Sequence, residues 1–127
     1  NNKDYNIGIS LPQGTLSVAE AKAAVGEKGV MVFGYIVGTD ATANSIRVGP
    51  PFSSDTYIII GDSRSDFNSE RLMAVELRSK SQIREDINLV SHPELVGAAV
   101  ILTGDIVESY QSLGSGLKNT KAYTLLE

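Results

Sequence analysis

The chain has 127 residues, of which 42% are hydrophobic and 20% charged, with a net charge of −4 and no cysteine. This is the length of one domain, with enough apolar residues for a packed core, which excludes a disordered chain. Disulfides, thiolate metal sites and cysteine nucleophiles are excluded as well, and the acidic balance argues against a strong, sequence-blind nucleic-acid binder, whose affinity would rest on a basic face.

The chain opens on Asn1-Asn2-Lys3-Asp4-Tyr5 without an initiator Met. A mature exported protein would look like this after loss of a signal segment, with a lipid anchor upstream of residue 1 as one form of that expectation. A cytoplasmic fragment cut at a domain edge is the other reading. Residues 1–15 read as a polar tail or tether and 16–127 as a single domain. The longest apolar runs, Val30 to Val37 and Ala98 to Leu102, are strand-sized and far below the roughly 18 residues of a membrane span.

Ser17 and Glu20 form a capping box at a helix start, with Val18, Ala21 and Val25 as the apolar stripe and Gly26 as the stop. Gly29 to Thr39 is β-branched and apolar, the first strand. Asp40 to Ser54 is a long polar connection holding Pro50-Pro51, with Ile46-Arg47-Val48 as a short strand candidate. Thr56 to Ile60 is the second main strand, closed by Gly61-Asp62. Met73, Val75 and Leu77 alternate with Ala74, Glu76 and Arg78, the pattern of a half-buried third strand. Ser79 and Gln82 read as a second capping box, and the helix after it places Ile83, Ile87 and Val90 on one face with Arg84, Glu85 and Asp86 in water. Pro93 sits at a helix-start position of a short turn. Ala98 to Tyr110 is the fourth strand, Gln111 to Thr120 a Gly/Ser-rich loop, and Ala122 to Leu126 the last strand.

Val30-x-Val32-x-Gly34-x-Ile36-Val37 is echoed by Val100-x-Leu102-x-Gly104-x-Ile106-Val107. A glycine in mid-strand has no side chain to pack and marks a sharp bend, as at a barrel corner. Two strands that coil this way predict a small closed barrel. The echo also predicts that Val30, Val32 and Ile36 point inward, while Phe33 and Tyr35 stand outside on a face that sees solvent, in the places of Thr103 and Asp105.

Three strands, a helix and two strands is the order of the OB-fold, a five-stranded Greek-key barrel. The expectation is therefore an all-β domain with a helix between strands three and four and a short N-terminal helix. Several blocks resemble a family of OB-fold domains from exported and lipid-anchored bacterial proteins. They are Ser17-Val18-Ala19-Glu20-Ala21, Gly34-Tyr35-Ile36-Val37-Gly38, Ile59-Ile60-Gly61-Asp62-Ser63, His92-Pro93-Glu94-Leu95-Val96-Gly97, Thr103-Gly104-Asp105-Ile106 and Gly116-Leu117-Lys118-Asn119. The resemblance covers residues 17 to 126 in order and implies fold and an exported location, with no chemistry attached.

Catalytic signals are weak. The single histidine, His92, lies beside a proline in a helix-entering turn and has no triad partners in the pattern. Gly114-Ser115-Gly116 lacks the spacing of a nucleophile elbow, and neither Gly26-Glu27-Lys28-Gly29 nor Gly116-Leu117-Lys118 has that of a phosphate loop. Asp62, Asp66, Asn68 and Glu70 alternate as calcium ligands do, but Arg64 interrupts them and Met73 stands where a bidentate Glu belongs. The expectation is a non-catalytic binding module without a cofactor. OB-folds bind oligonucleotides or oligosaccharides across strands two and three, between the loops that join strands one to two and four to five. The candidate groove is Tyr35, Arg47, Phe52, Tyr57, Glu76, Tyr110, Lys118, Asn119 and Lys121. Its aromatics supply stacking, its cations sit in the second loop, and Glu76 opposes phosphate. An extracellular oligosaccharide or other polymer is the first ligand class on this reading, single-stranded nucleic acid the second, and a purely structural or protein-interaction domain the third.

Overall fold

The computed structural model describes residues 11–41, 46–111 and 113–126. The first ten residues of the predicted tail, and residues 42–45 of the long connection, lie outside them. Five strands form a closed barrel: β1 (Val30–Gly38), β2 (Tyr57–Gly61), β3 (Met73–Glu76), β4 (Ala99–Val107) and β5 (Gly116–Leu125). The order around the barrel is β1-β2-β3-β5-β4, with β4 returning to pair with β1. Every pairing is antiparallel except β3 with β5, where Val75 lies opposite Leu117. Helix α1 (Val18–Lys22) precedes the barrel and α2 (Gln82–Ile87) connects β3 to β4. This is the expected OB-fold-like barrel. No helix is long and apolar enough to cross a membrane among the described residues.

The inward set is the one the echo predicts. Val32, Ile36, Val100, Leu102 and Ile106 join Ile58, Ile60, Met73, Val75 and Leu117 in one fully buried cluster, capped at one end by Val18 and Ala21 of α1 and at another by Ile83 and Ile87 of α2. The two mid-strand glycines are required by close approach. A Cβ on Gly34 would lie 2.9 Å from Val18 Cγ2 and 3.1 Å from the Gly61 carbonyl, and one on Gly104 would lie 2.8 Å from the Lys118 carbonyl. Each lets a neighbouring segment cross the strand where the barrel bends.

The capping box of α1 is present as read, with Ser17 Oγ accepting from Glu20 N and Glu20 Oε1 accepting from Ser17 N. The helix stops at Lys22, however, before Gly26, and Val25 is 51% exposed. The reason is competition: Gly26 N donates to Ile106 O and Ile106 N donates to Glu27 O, so β4 captures the segment that would have continued the helix. The second cap is Ser81, not Ser79; its hydroxyl accepts from Arg84 N and its backbone is extended, whereas Lys80 before it has a positive φ of 60°. After Ile87 the chain leaves helical phase at Asn88, whose amide donates to Arg84 O. That shift buries Leu89 and turns Val90 outward, so the predicted stripe holds at Ile83 and Ile87 and fails at Val90. Arg84 is half-buried rather than in water and donates through Nε to Leu77 O.

Three strand readings also change. Ile46–Val48 forms no strand, only a single bridge of Arg47 to Thr39. β3 is covered on both faces, Ala74 included, where alternation predicted one wet face. β5 begins six residues earlier than the sequence suggests, because Gly116–Lys118 is held by β4 on one side and β3 on the other, with the register slipping where Asn119 takes a positive φ of 54°. Bulge residues break the period-two pattern, so this half of the strand reads as loop.

Candidate ligand-binding face

The groove expected from the sequence is the outer face of β2 and β3, and the structure covers its centre. Tyr57 and Ile59 of β2, Leu72 and Ala74 around β3, and Val37 of β1 make a second buried cluster, closed by Leu113, with Ala41, Ile46 and Tyr110 packed at its margin. Tyr57 is only 4% exposed; its hydroxyl accepts from Ala41 N at 2.6 Å, and Thr39 Oγ1 donates to its carbonyl at 2.9 Å. Its ring meets Tyr110 edge-on, with centroids 6.0 Å apart and planes at 70°. Phe52 belongs to the barrel core. Neither Tyr57 nor Phe52 is thus an open stacking platform, contrary to the expectation from the sequence: Tyr57 packs in the second buried cluster and Phe52 in the core.

An opening flanks the covered centre. On one side a concavity of about 810 Å³ is lined by Asp40, Ala41, Ile46, Arg47, Val48, Gly49, Ser53 and one edge of Tyr57. Its shape is fixed by Asp40, whose two carboxylate oxygens accept from Ser53 N at 2.8 Å and Ser54 N at 2.9 Å. Arg47 is exposed there, with Nε 3.8 Å from Asp40 Oδ2, a surface pair that leaves the guanidinium free to meet an anion. On the other side of Tyr57 stands Tyr110, half-buried, with Lys118 Nζ 5.2 Å from its ring centroid. Burial pushes the Tyr110 phenol up, opposed by the Gln111 side chain, with Glu76, Tyr57 and Arg84 all close enough to act on it. Glu76 points outward as expected and accepts from Asn119 N at 2.8 Å.

Arg47, Tyr57, Glu76, Tyr110, Lys118 and Asn119 therefore come together along one side of the barrel. Lys118, Asn119 and Lys121 lie in β5 rather than in a loop, a correction that follows from the early start of that strand. Lys121 is at another rim, beside Gly29 and Asp105. Asp105 accepts from the Asn119 amide at 3.0 Å and from Gly29 N at 2.9 Å, and these bonds, with Lys28 and Lys121 nearby, hold its carboxyl below the usual range. Tyr35 is separate as well. It packs edge-on to Phe33 with centroids 5.4 Å apart, under the Arg64 guanidinium 4.4 Å above its ring. The face expected to see solvent is covered: Phe33 is 3% exposed, buried with Ala99 and Ile101 beneath Leu11 and Leu126. Arg84, Gln111 and Arg64 were not singled out in the sequence, since a cation or amide on a helix or loop has no periodic signature.

The calcium alternative does not assemble. Asp62 accepts from Val18 N at 2.8 Å and Ala19 N at 3.0 Å, capping α1. Asp66 is engaged by Arg71 at 2.7 and 3.2 Å, which pulls its carboxyl down, and Asn68 Oδ1 accepts from Glu70 N. Among the described residues no three such groups converge. His92 ties its turn to α2, with Nε2 2.8 Å from Glu85 O.

The chain is 24% identical over 116 residues to Endonuclease YhcR of Bacillus subtilis (strain 168), spanning 91% of this chain but only 9% of that protein. No solved structure matches it. The family model described as Domain of unknown function (DUF6359) matches residues 16–126, from the strand-like Leu16 through the end of β5, and the chain belongs to that family.

Proposed function

We propose that the domain is a non-catalytic binding module of a larger exported protein, and that it grips single-stranded nucleic acid along Arg47, Tyr110 and Lys118, on either side of the buried Tyr57. The observation that supports this is the placing of two available cations, Arg47 and Lys118, on either side of an aromatic pair on the same barrel flank. Cations spaced along a groove follow a phosphodiester backbone, and a half-buried tyrosine offers a base an edge to stack on. The name of the curated relative moves nucleic acid ahead of glycan in the order drawn from sequence. With so few cations the affinity is weak and the site suits a module that tethers substrate near a catalytic domain elsewhere.

Fluorescence anisotropy with labelled ten-residue oligothymidylate tests this. Two or three phosphate contacts predict a log K against log salt slope of about −1.5 to −2. Arg47→Ala and Lys118→Ala should each weaken binding by roughly five- to tenfold and make the slope shallower by about 0.7. A flat response to several homopolymers at low salt sinks the proposal.

One observation favours a glycan instead. Glu76 lies beside Tyr110 and Asn119, and a carboxylate that repels phosphate accepts well from sugar hydroxyls. Glu76→Gln separates the two ligands: it should tighten an oligonucleotide and weaken a sugar.

A further inference from the structure

A carboxylate is out of place on a flank that follows a phosphodiester, and Glu76 stands on this one. It ends β3 directly opposite Tyr57 of β2, so the two side chains leave the sheet on the same face. The residue is half-buried, and its Oε1 accepts from Asn119 N at 2.8 Å. Asn119 is itself fixed: its backbone has a positive φ of 54°, and its side-chain amide donates to Asp105 Oδ2 at 3.0 Å. One oxygen of Glu76 is thus pinned, while Oε2 has no hydrogen-bond partner among the described residues. Nor does Glu76 form an ion pair among them, although two cations are near. Lys118 Nζ turns to the Tyr110 ring, 5.2 Å from its centroid, and Arg84 Nε donates to Leu77 O at 3.0 Å.

An unpaired carboxylate beside the path of a polyanion weakens binding by like-charge repulsion unless it meets a donor on the ligand. Within a DNA strand the phosphate and sugar-ring oxygens only accept, so the donors all lie on the bases. On the pairing edge the exocyclic amine of cytosine donates where O4 of thymine or uracil accepts. The single donor of those two bases, N3–H, sits between two carbonyl oxygens that repel a carboxylate. The place for a base is at Tyr110. Its ring stands edge-on to Tyr57 with centroids 6.0 Å apart, and Glu76 is close enough for its charge to act on the phenol. Lys118, on its flexible stem, can pass from the ring to a phosphate.

We propose that Glu76 reads the base: its unpaired oxygen accepts the exocyclic amine of a base stacked at Tyr110, so that the flank selects cytosine over uracil and thymine. Resting on the nucleic-acid reading above, this narrows the ligand from a strand to a base. It gives the acid a role that a phosphate-tracking residue cannot have, selectivity gained at some cost in affinity.

The test compares ten-residue oligodeoxycytidylate with oligodeoxyuridylate by fluorescence anisotropy at neutral pH. The two share one backbone and differ only on the pairing edge. The wild type should bind the cytidylate about three- to tenfold more tightly, the worth of one charge-assisted hydrogen bond at a wet site. Glu76→Gln keeps the shape and the acceptor for Asn119 N, but it loses the charge and gains a donor that suits O4. The ratio of the two affinities should then fall to near one. That ratio is the readout, because loss of repulsion alone tightens both oligomers equally and leaves it unchanged. Arg47→Ala should weaken both and keep the ratio, as a phosphate contact does. Equal wild-type affinities, a preference for the uridylate, or a ratio that survives Glu76→Gln overturns base reading, while salt-dependent binding of both oligomers leaves the nucleic-acid reading standing. If neither oligomer binds, the two fall together.

Discussion

The barrel buries two of its outer faces, and it does so by different means. On β1 and β4, Phe33, Ala99 and Ile101 are sealed by Leu11 and Leu126, segments from the two ends of the domain, with Arg64 lying over Tyr35 at the margin. On β2 and β3, Ile59, Leu72 and Ala74 are sealed by Leu113 from a connection, and the cover is fixed by the Lys22 ammonium and the Ser115 hydroxyl. The first cover is apolar. The second is partly polar and borders the 810 Å³ opening at Tyr57. Apolar burial is lost only by exposing area to water, whereas carbonyls on buried residues such as Leu72 and Leu113 cost free energy if the ammonium leaves them unpaired. The proposed binding flank adjoins the second face.

The difference can be broken by substitution. Phe33→Ala should be the largest effect, about 3–5 kcal/mol of global stability in urea unfolding followed by tyrosine fluorescence, because it empties a sealed site. If it costs under about 1 kcal/mol, the first face is not the fixed one. Leu113→Ala should cost less, about 2 kcal/mol, with hydrogen exchange rising mainly at 113–117 and along β2; uniform acceleration across the barrel would mean that both covers belong to one cooperative unit.

Acid sharpens the comparison next. Asp66, Asp86 and Asp105 are all held below the ordinary aspartate value, by Arg71, by the Tyr123 hydroxyl with Gln82, and by Asn119 with Gly29 respectively. Carboxyls depressed in the folded state contribute stability that is present above an unfolded value near 4 and is lost as pH falls through the lower folded values. None of the three holds either cover, so on acidification both faces should open in one transition. A separate early rise in dye binding above pH 4 would contradict that. Arg64→Ala should be smallest, within about 1 kcal/mol, since an exposed guanidinium on a ring contributes little.

Much of this was legible in the chain. The capping box at Ser17, the order of five strands and the inward set Val32, Ile36, Val100, Leu102 and Ile106 all follow from local rules: a cap needs only its own turn, and an inward residue needs only strand periodicity and a glycine that tells where the strand bends. The placing of the candidate residues was legible only in part. Arg47, Tyr57, Glu76, Tyr110, Lys118 and Asn119 do share a flank, yet Tyr57 and Phe52 are buried, and Tyr35 and Lys121 lie elsewhere. An aromatic in a polar connection looks the same whether it faces water or a neighbouring strand.

What the sequence determined by itself was therefore which residues pair with their near neighbours and which side of each strand carries the core. The tertiary structure alone decided which outer faces are covered, where β5 begins and what Lys22 holds. Those depend on segments far apart in the chain, β3 with β5 and α1 with residues 113–115, whose meeting is set by barrel closure rather than by any local pattern.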